Sequence, residues 1–483
     1  MKLRLAFDAG RARNWHQILG ATLSAQGHEV SFLAVPLQDR RMLRQLHRLD
    51  QLLAWERRIY AIKDNHAFAG FSPPQPPDTA VQGLCIDLTS AGCGAETCLF
   101  PLFRGMRGEL GMFADLTHPD EPLLAIMSSD AAAPLLMGHP AIENREIGSY
   151  GLGHLAMAAA ALLAKAVERI GALPDLPAPP VPEARLRPPA PLHYGAAMLV
   201  TKIMRNLRAR NKKEPPWRIA WRRIEGDAMQ DTGRWPQTAF TTLADDGQRY
   251  FADPFIFVED GVAHVFCEEY PFATRKGIIS HFTLDRQRGA SAVRPVLELP
   301  FHISYPQVFA FGGEIYMLPE ASASHKLELY RARHFPDDWL PERVLIDNAD
   351  LADATFLVHA GRCWIFATRR LPFGSSWDQL VIYSAPHPLG PWTAHRDNPA
   401  CLDARSARPA GNMWMKDGTL YRIAQDCTGD YGRTLSLLRV DHLDEHTFHQ
   451  TQITQLTPPP ATGWRNVHTL NTGGGFEIID YIA

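Results

Sequence analysis

The 483-residue chain lacks the sequence features that mark several protein classes. Its seven cysteines are scattered and contain no Cys-x-x-Cys pair, so neither a disulfide framework nor a zinc site is expected, and a reducing, cytoplasmic location is predicted. No run of 18 apolar residues occurs, so no membrane-spanning helix is expected. A net charge of −3 gives no global attraction to nucleic acid. Neither Gly-x-Gly-x-x-Gly nor a phosphate-binding loop is present, and no cofactor or metal ion is predicted.

The composition predicts two domains with a linker between them. In residues 1–172, the strand-like runs "KLRLAFD" and "EVSFLAVP" flank the helical pattern of "RNWHQILGATLSAQGH". This strand–helix–strand order is typical of a Rossmann-like α/β domain. Residues 173–215 are proline-rich and then basic, as in "AAMLVTKIMRNLRARNKK". We expect a stiff linker followed by a helix that docks the two domains, with a peripheral membrane contact as the open alternative.

Residues 216–483 are rich in short alternating strands, and one hairpin pattern recurs along them. The copies begin at "YFADPFIFVEDG", "SYPQVFAFGGEI", "ADATFLVHAGRC", "ARPAGNMWMKDG" and, more faintly, "VHTLNTGGGFEI". Their equivalent residues are spaced 48 to 60 positions apart: Asp253, Tyr305, Asp353, Arg408 and His468. A period near 50 in a strand-rich sequence predicts an all-β five-bladed β-propeller, because a two-sheet sandwich rarely repeats one hairpin at one spacing.

In such a propeller, the first residues of the inner strands would converge at one mouth of the central channel. Paired carboxylates suit glycosidic bond chemistry, in which one acts as acid and the other as base or nucleophile. We therefore predict Asp253, Glu320 and Asp353 as catalytic residues. The predicted substrate-binding residues are Tyr305, Arg408, His468, Gln425, Asp426 and Glu268. In the structural alternative, an Asp before Pro caps a turn, or repeated Asp residues tie neighbouring blades together.

This second half resembles a known family in the motifs "YFADPFIFVEDG", "LELYRARHFPDDW", "GPWTAHRDNP" and "NMWMKDGTLYRIAQDCTGDYG". It looks like the domain at the N-terminus of plant glucosamine inositolphosphorylceramide transferases, which also occurs in bacterial proteins labelled formyltransferases. The resemblance implies a sugar or glycoconjugate as substrate, although sugar transfer in the plant proteins is attributed to a separate domain that has no counterpart here.

A more distant resemblance is to five-bladed arabinanase- and fructosidase-type glycoside hydrolases. In those enzymes the first blade opens with an Asp-Pro whose Asp is base or nucleophile, and Asp253 matches it. Their second blade offers a modulating Asp where this chain has Tyr305, and their third a Glu acid where this chain has Asp353. These two departures count against ordinary hydrolysis.

The first half resembles a decayed methionyl-tRNA-formyltransferase-type domain in the segment "LFPLFRGMRGELGMFADLTHPDEPLLAIM". Active members place an Asn and a His just before this motif, where the present chain has Gly94 and Glu96. Without the imidazole, formyl transfer has lost its chemistry.

Three functions therefore remain open from the sequence. The first is a carbohydrate-active enzyme, of glycoside hydrolase or glycosyltransferase type, that acts on a glycosidic or sugar-phosphate bond in the propeller channel. The second is a non-catalytic glycan-binding or scaffold protein of a glycosylation pathway. The third is residual formyl or acyl transfer in the first half.

Overall fold

The computed structural model describes residues 1–63, 66–74, 83–170, 194–196, 199–200 and 216–483. Two compact units divide the chain: one is Met1–Lys213 with Leu371–Ser375, and the other is Glu214–Arg370 with Ser376–Ala483. Apart from a few positions, the predicted linker and basic helix at 173–215 lie outside the described residues, so those assignments stay predictions.

The described part of the first unit is an α/β structure built on one mixed sheet. Its elements are β1 (Lys2–Asp8), α1 (Asn14–Ala25), β2 (Glu29–Val35), α2 (Arg40–Tyr60), β3 (Leu84–Asp87), β4 (Cys98–Phe103), α3 (Gly108–Thr117), β5 (Leu124–Ser128), β6 (Leu136–Gly138) and α4 (Gly148–Arg169). The strand order is β2-β1-β3-β4-β5-β6, with parallel pairing from β2 through β4 and antiparallel pairing beyond it. The predicted α/β class agrees with this sheet. The Rossmann-like and formyltransferase-like assignments stay predictions.

Helix α4 forms the core of this unit because its Ala/Leu-rich sequence leaves almost no polar face. It is long and apolar enough to cross a membrane by composition, but 94% of its most apolar window is buried inside the unit, as expected of a core helix. Its N-terminus is capped by the buried Glu56, whose carboxylate accepts hydrogen bonds from the N–H groups of Gly148 and Ser149, each at 2.7 Å. The negative charge thus satisfies helix N–H groups that would otherwise lack partners.

Arg11 and Arg13 precede α1, where the sequence favours a plain helix start over an anion site at the helix N-terminus. Both are paired with carboxylates of the same unit. Arg11 contacts Asp50 at 2.6 Å and also Glu109, and Arg13 contacts Asp50 and Glu109, each at 2.8 Å. The two positive charges are therefore already balanced, which disfavours an anion site there.

The second unit is almost entirely β-structure. Its elements in chain order are β7 (Arg218–Arg223), α5 (Met229–Thr232), β8 (Thr241–Thr242), β9 (Arg249–Glu259), β10 (Val262–Pro271), β11 (Ile278–Asp285), β12 (Gly289–Ala290), β13 (Arg294–Leu297), β14 (Ser304–Phe311), β15 (Glu314–Glu320), β16 (Lys326–His334), β17 (Asp338–Asp347), β18 (Leu351–His359), β19 (Arg362–Arg369), β20 (Gln379–Ala385), β21 (Thr393–Ala394), β22 (Cys401–Leu402), β23 (Trp414–Lys416), β24 (Thr419–Asp426), β25 (Thr434–Leu443), β26 (Phe448–Leu456), β27 (Leu470–Gly473) and β28 (Phe476–Tyr481). Short 3₁₀ turns lie at Ser322–Ser324 and Pro460–Thr462.

In the described residues 216–483 these strands form five antiparallel sheets, which are the blades of a five-bladed β-propeller, as predicted. Blades 1 to 4 are β9–β13, β14–β17, β18–β22 and β23–β26, each continuous in the chain. Blade 5 has the order β27-β28-β7-β8, so the first strand of the unit pairs with the last. This pairing closes the ring between the two ends of the unit.

The repeated residue at the head of each inner strand sits at a β-bulge in the first three blades. Asp253, Tyr305 and Asp353 have φ values of 50°, 48° and 53°, in the left-handed region that non-glycine residues seldom adopt. At each of them the pairing register shifts by one residue between the two inner strands. Such bulges redirect side chains and are frequent next to functional sites. The spacing found in the sequence therefore marks a recurrent backbone distortion.

Candidate functional site

The bulge residues at the channel mouth are tied to carboxylates of the preceding blade. The N–H of Asp253 donates to Asp480 Oδ2 at 2.8 Å, and the N–H of Tyr305 donates to Asp253 Oδ2 at 3.3 Å. In the same way, the N–H of Asp353 donates to Glu320 Oε2 at 3.0 Å. Bond by bond, these contacts link blades 5, 1, 2 and 3. The acidic side chains thus serve as inter-blade acceptors, as the structural alternative expected.

Arg408 from blade 4 continues this chain of contacts. Its Nε donates to Asp353 Oδ2 at 2.6 Å, its second terminal nitrogen donates to Asp353 Oδ1 at 3.2 Å, and Gln425 donates to the same carboxylate at 2.6 Å. Arg408 also lies 3.7 Å from Glu320. Burial opposes ionisation of Glu320, but the charge of Arg408 and the N–H of Asp353 outweigh it and lower the Glu320 pKa. Glu320 therefore stays a carboxylate.

His468 from blade 5 lies between two carboxylates. Its Nε2 is 2.9 Å from Asp253 Oδ1, and its Nδ1 is 3.0 Å from Asp480 Oδ1. Burial works against the charged ring, but Asp480 and Asp253 outweigh it and raise the His468 pKa to about 10. The same pairing lowers the pKa of Asp480 against the effect of burial. At neutral pH His468 is therefore an imidazolium that neutralises this corner of the site.

Asp253, His468 and Asp480 are also close enough for a metal ion to be considered, with one ligand atom from each within 4.8 Å of the others. The imidazole argues against a shared ion. Its two nitrogens face different carboxylates, and both carry protons at neutral pH. A metal ligand must be a neutral imidazole with a free lone pair. The imidazolium already supplies the positive charge that the two carboxylates need.

Glu268 differs from the other acids of the mouth because neither Arg408 nor His468 forms an ion pair with it among the described residues. Its side chain is 7% exposed, its Oε1 has no hydrogen-bond partner among the described residues, and the nearest base is His302, 3.6 Å away. Burial first, and then the charge of Asp253, raise the Glu268 pKa well above its usual range. Glu268 is therefore a carboxylic acid that holds its proton.

A cavity of about 590 Å³ adjoins this cluster. Aromatic rings dominate its wall: Trp217, Tyr250, Tyr270, Phe272 and Tyr431. The Trp217 ring lies 4.0 Å from the His468 ring, and the Tyr431 hydroxyl lies 3.4 Å from Arg408. The walls therefore contact the charged groups directly. Such an arrangement offers flat apolar faces above buried charges, which suits a ring-shaped, hydroxyl-rich ligand.

Two of the predicted substrate-binding residues, Tyr305 and Asp426, bond through their side chains to groups outside this charged cluster. Tyr305 is fully buried, and its hydroxyl bonds to Thr355 Oγ1 at 3.0 Å and accepts the N–H of Gly411 at 2.7 Å. Asp426 is fully buried and accepts hydrogen bonds from Arg433 and Gln455, each at 2.7 Å. The other predicted residues meet at the channel mouth: Asp253, Glu268, Glu320, Asp353, Arg408, Gln425 and His468.

Sequence reasoning missed most of the aromatic wall. Tyr250 and Tyr270 are directly opposite each other on β9 and β10, and their rings stack at 4.8 Å with an angle of 8°. Tyr250 lies three residues before Asp253, and Tyr270 lies two residues after Glu268. The hairpin register could have paired them, because residues opposite each other on antiparallel strands share one face. Trp217 precedes the first copy of the repeat and gave no such signal.

Comparison with known proteins identifies the family to which most of the second unit belongs. Residues 232–468 match the family model described as glucosamine inositolphosphorylceramide transferase 1, N-terminal, and this part of the chain belongs to that family. The glucosamine inositolphosphorylceramide transferase 1 of Oryza sativa subsp. japonica is 32% identical over 240 residues, covering 48% of this chain and 32% of the relative. The Arabidopsis thaliana protein of the same name is 32% identical over 233 residues, covering 46% and 30%. The chain thus spans about a third of the length of these relatives.

Among solved structures, the catalytic domain of the Coprinopsis cinerea GH62 alpha-L-arabinofuranosidase is similar, with 15% sequence identity and a TM-score of 0.33. The match covers 43% of this chain and 69% of that one.

Proposed function

We propose that the propeller binds a glycan or glycoconjugate in the aromatic cavity and acts on a glycosidic or sugar-phosphate bond there. The observation that carries this proposal is the contact between the aromatic wall and the buried charges, through Trp217 on His468 and Tyr431 on Arg408. Aromatic faces pack against sugar rings, and the charges below can bind or polarise the substituents of a sugar. The names of the plant relatives favour a substrate that carries a sugar.

In this proposal Asp253 is the base or nucleophile, and Glu320 is the second carboxylate of the reaction. The Glu320 side chain is 11% exposed, compared with 6% for Asp253 and 2% for Asp353. Asp353 holds Arg408 in place through two hydrogen bonds, which prepares the guanidinium to meet a hydroxyl or anionic group of the substrate. The N–H of Tyr305 donates to Asp253 Oδ2 and so helps to orient that carboxylate.

The first test is a thermal-shift screen against nucleotide sugars, free sugars, inositol phosphates and folates, followed by product analysis for each ligand that binds. We expect a sugar-containing ligand to raise the melting temperature with increasing concentration. The variants Asp253→Asn and Glu320→Gln should each still bind that ligand but no longer convert it. A response to folates alone would refute the proposal, because it would place ligand binding in the first unit.

A second candidate function, non-catalytic glycan recognition, is favoured by one specific observation. Asp253 and Glu320 already accept backbone N–H groups of the next blade. If these acids serve only as inter-blade acceptors, the wild type will bind the sugar without converting it. Product analysis after long incubation at high enzyme concentration separates the two functions.

A further inference from the structure

Three cysteines of the first unit lie together around strands β3 and β4. Cys85 is on β3 and Cys98 is on β4, and the parallel pairing places these two residues beside each other. Cys93 lies in the loop between the strands, and its Sγ is 3.5 Å from Cys85 Sγ. All seven cysteines of the chain are free, so Cys85 and Cys93 are two reduced thiols in direct contact.

The contact between Cys85 and Cys93 is fixed by a buried carboxylate. Asp87, which is 2% exposed, accepts the N–H of Cys93 at 3.0 Å. The same carboxylate accepts the N–H and the hydroxyl of Thr89, at 3.0 Å and 2.6 Å, and pairs with Arg107 at 2.6 Å. Because Asp87 is on the same strand as Cys85, these bonds hold the loop against the strand that carries Cys85. The Cys93 sulfur is therefore presented to Cys85 in a defined position.

We propose that Cys85 and Cys93 form a redox-active dithiol, which a hydroperoxide converts to a disulfide and a small-molecule thiol restores. The residues involved all belong to the first unit, so this inference does not depend on the sugar chemistry proposed for the second unit. In reducing compartments, protein disulfides are usually transient and redox-sensing, which is the behaviour that we expect of this pair.

Little movement separates the two thiols from a disulfide. An S–S bond is about 2.0 Å long, so the two sulfurs must approach each other by about 1.5 Å. Strand β3 ends at Asp87, so most of the ring that the disulfide would close is loop. The bond can therefore form by a shift of the loop while the paired strands stay in place.

Cys93 is the thiol that an oxidant would reach first. It is partly exposed, whereas Cys85 and Cys98 are 4% and 5% exposed. Burial also raises the pKa of the Cys85 thiol and that of the Cys98 thiol, which disfavours their reactive thiolates. Cys85 acts in the second step, where contact with the oxidised Cys93 replaces an encounter in solution. Cys93 is thus the sensor and Cys85 its resolving partner.

The oxidation balances with the hydroperoxide as its co-reactant. The Cys93 sulfur attacks the hydroperoxide, an S–O bond forms as the O–O bond breaks, and the leaving oxygen departs with the thiol proton as water or an alcohol. The Cys85 sulfur then attacks the Cys93 sulfenic acid. The S–S bond forms as the S–O bond breaks, and the hydroxide leaves as water with the Cys85 proton. The two thiols lose two hydrogens and two electrons, and thiol–disulfide exchange with two molecules of a small thiol returns them.

The test treats the full chain with hydrogen peroxide and then maps its disulfides by mass spectrometry. Cleavage before Asp87 and after Glu96 places the three cysteines on separate peptides, so the linked pair is read directly. We expect the wild type to lose two of its seven free thiols through a bond between Cys85 and Cys93, and to regain both with dithiothreitol.

Three variants assign the roles within the cluster. Cys93→Ser should abolish the reaction, and Cys85→Ala should stop it at the Cys93 sulfenic acid, which dimedone labels. Cys98→Ala is the matched control, because it removes a buried thiol of the same cluster and should leave the disulfide unchanged. Melting temperatures of the reduced proteins show whether each variant is folded, and the peptide map of the wild type stands without them.

A disulfide between Cys93 and Cys98 would overturn the inference, as would a wild type in which Cys85 and Cys93 keep their thiols under peroxide. Wild-type Cys93 that proceeds to sulfinic acid without forming a disulfide would also overturn it, because Cys85 would then fail to reach the oxidised sulfur. A metal ion that co-purifies with the three thiols and protects them from peroxide would overturn it as well.

Discussion

The backbone N–H of Asp253 donates to the carboxylate of Asp480 at 2.8 Å, across 227 residues of chain. This bond joins the first blade to the last. Asp253 in turn accepts the N–H of Tyr305 in the second blade. The left-handed conformation at Asp253 and Tyr305 turns each N–H away from its own sheet toward the neighbouring blade. Residues that carry the candidate chemistry thus also hold the ring closed.

Replacement of Asp480 by Asn should destabilise the propeller. The Asp480 carboxylate accepts the N–H groups of Asp253, His468 and Thr469 and also faces the imidazolium. Loss of one member of a buried charge pair costs roughly 3–5 kcal/mol. Urea unfolding followed by tryptophan fluorescence would measure this, since nine of the eleven tryptophans lie in the second unit.

The matched control for Asp480→Asn is Glu298→Gln. Glu298 is 62% exposed and paired with Lys276, so its loss should cost at most about 1 kcal/mol. Equal losses in the two variants would show that the buried pair does not stabilise the ring.

Propeller stability should fall as pH rises through the alkaline range. The pKa of His468 is about 10 in the folded protein and 6.5 in its ordinary state. Because folding raises this pKa, the stabilisation is fully present below about pH 6.5 and is lost toward pH 10. The difference in urea midpoint between the wild type and His468→Gln should therefore shrink over that interval. A difference that stays constant from pH 6 to 10 would mean that His468 is not held as an imidazolium.

Removal of one aromatic side chain from the cavity wall, that of Trp217, should weaken sugar binding more than it destabilises the fold. Trp217 lies on the cavity and contacts the His468 ring. Because Trp217 would stack on the sugar, Trp217→Ala should raise Kd by about 2- to 12-fold, the equivalent of roughly 0.5–1.5 kcal/mol. Isothermal titration with the ligand from the thermal-shift screen measures this. The half-exposed Trp55 of the first unit is the control, and equal effects of Trp55→Ala and Trp217→Ala would place the ligand elsewhere.

Tyr305→Phe should reduce stability while leaving ligand affinity close to that of the wild type. The hydroxyl is buried and bonded to Thr355 and Gly411, so its loss leaves two polar groups without a partner, at about 1–3 kcal/mol. Urea unfolding and ligand titration on the same preparations separate the two effects. A large loss of affinity with unchanged stability would support the original prediction that Tyr305 binds substrate.

Much of the fold could be predicted from local pattern. The sequence period near 50 residues identified every blade. In the first three blades, the glycine that lies eight residues after the bulge residue (Gly261, Gly313 and Gly361) has a positive φ at the hairpin turn. In the first unit, the helical spacing of "RNWHQILGATLSAQGH" and the strand-like runs "KLRLAFD" and "EVSFLAVP" agree with α1, β1 and β2. These signals are short-range, because hydrophobic period and turn chemistry act within a few residues.

The sequence by itself determined the ring of blades and most of the acidic and basic side chains that meet at its mouth, although Asp480 was not among those predicted. Only the tertiary structure decided what each of them does there. Glu320 and Glu268 occupy the same position of the repeat, yet Arg408, 3.7 Å away, outweighs burial and lowers the pKa of Glu320, whereas burial and the charge of Asp253 raise the pKa of Glu268. Protonation depends on burial and on charges contributed by other blades, and those distances are set by packing between residues far apart in the chain. No spacing along the chain encodes them.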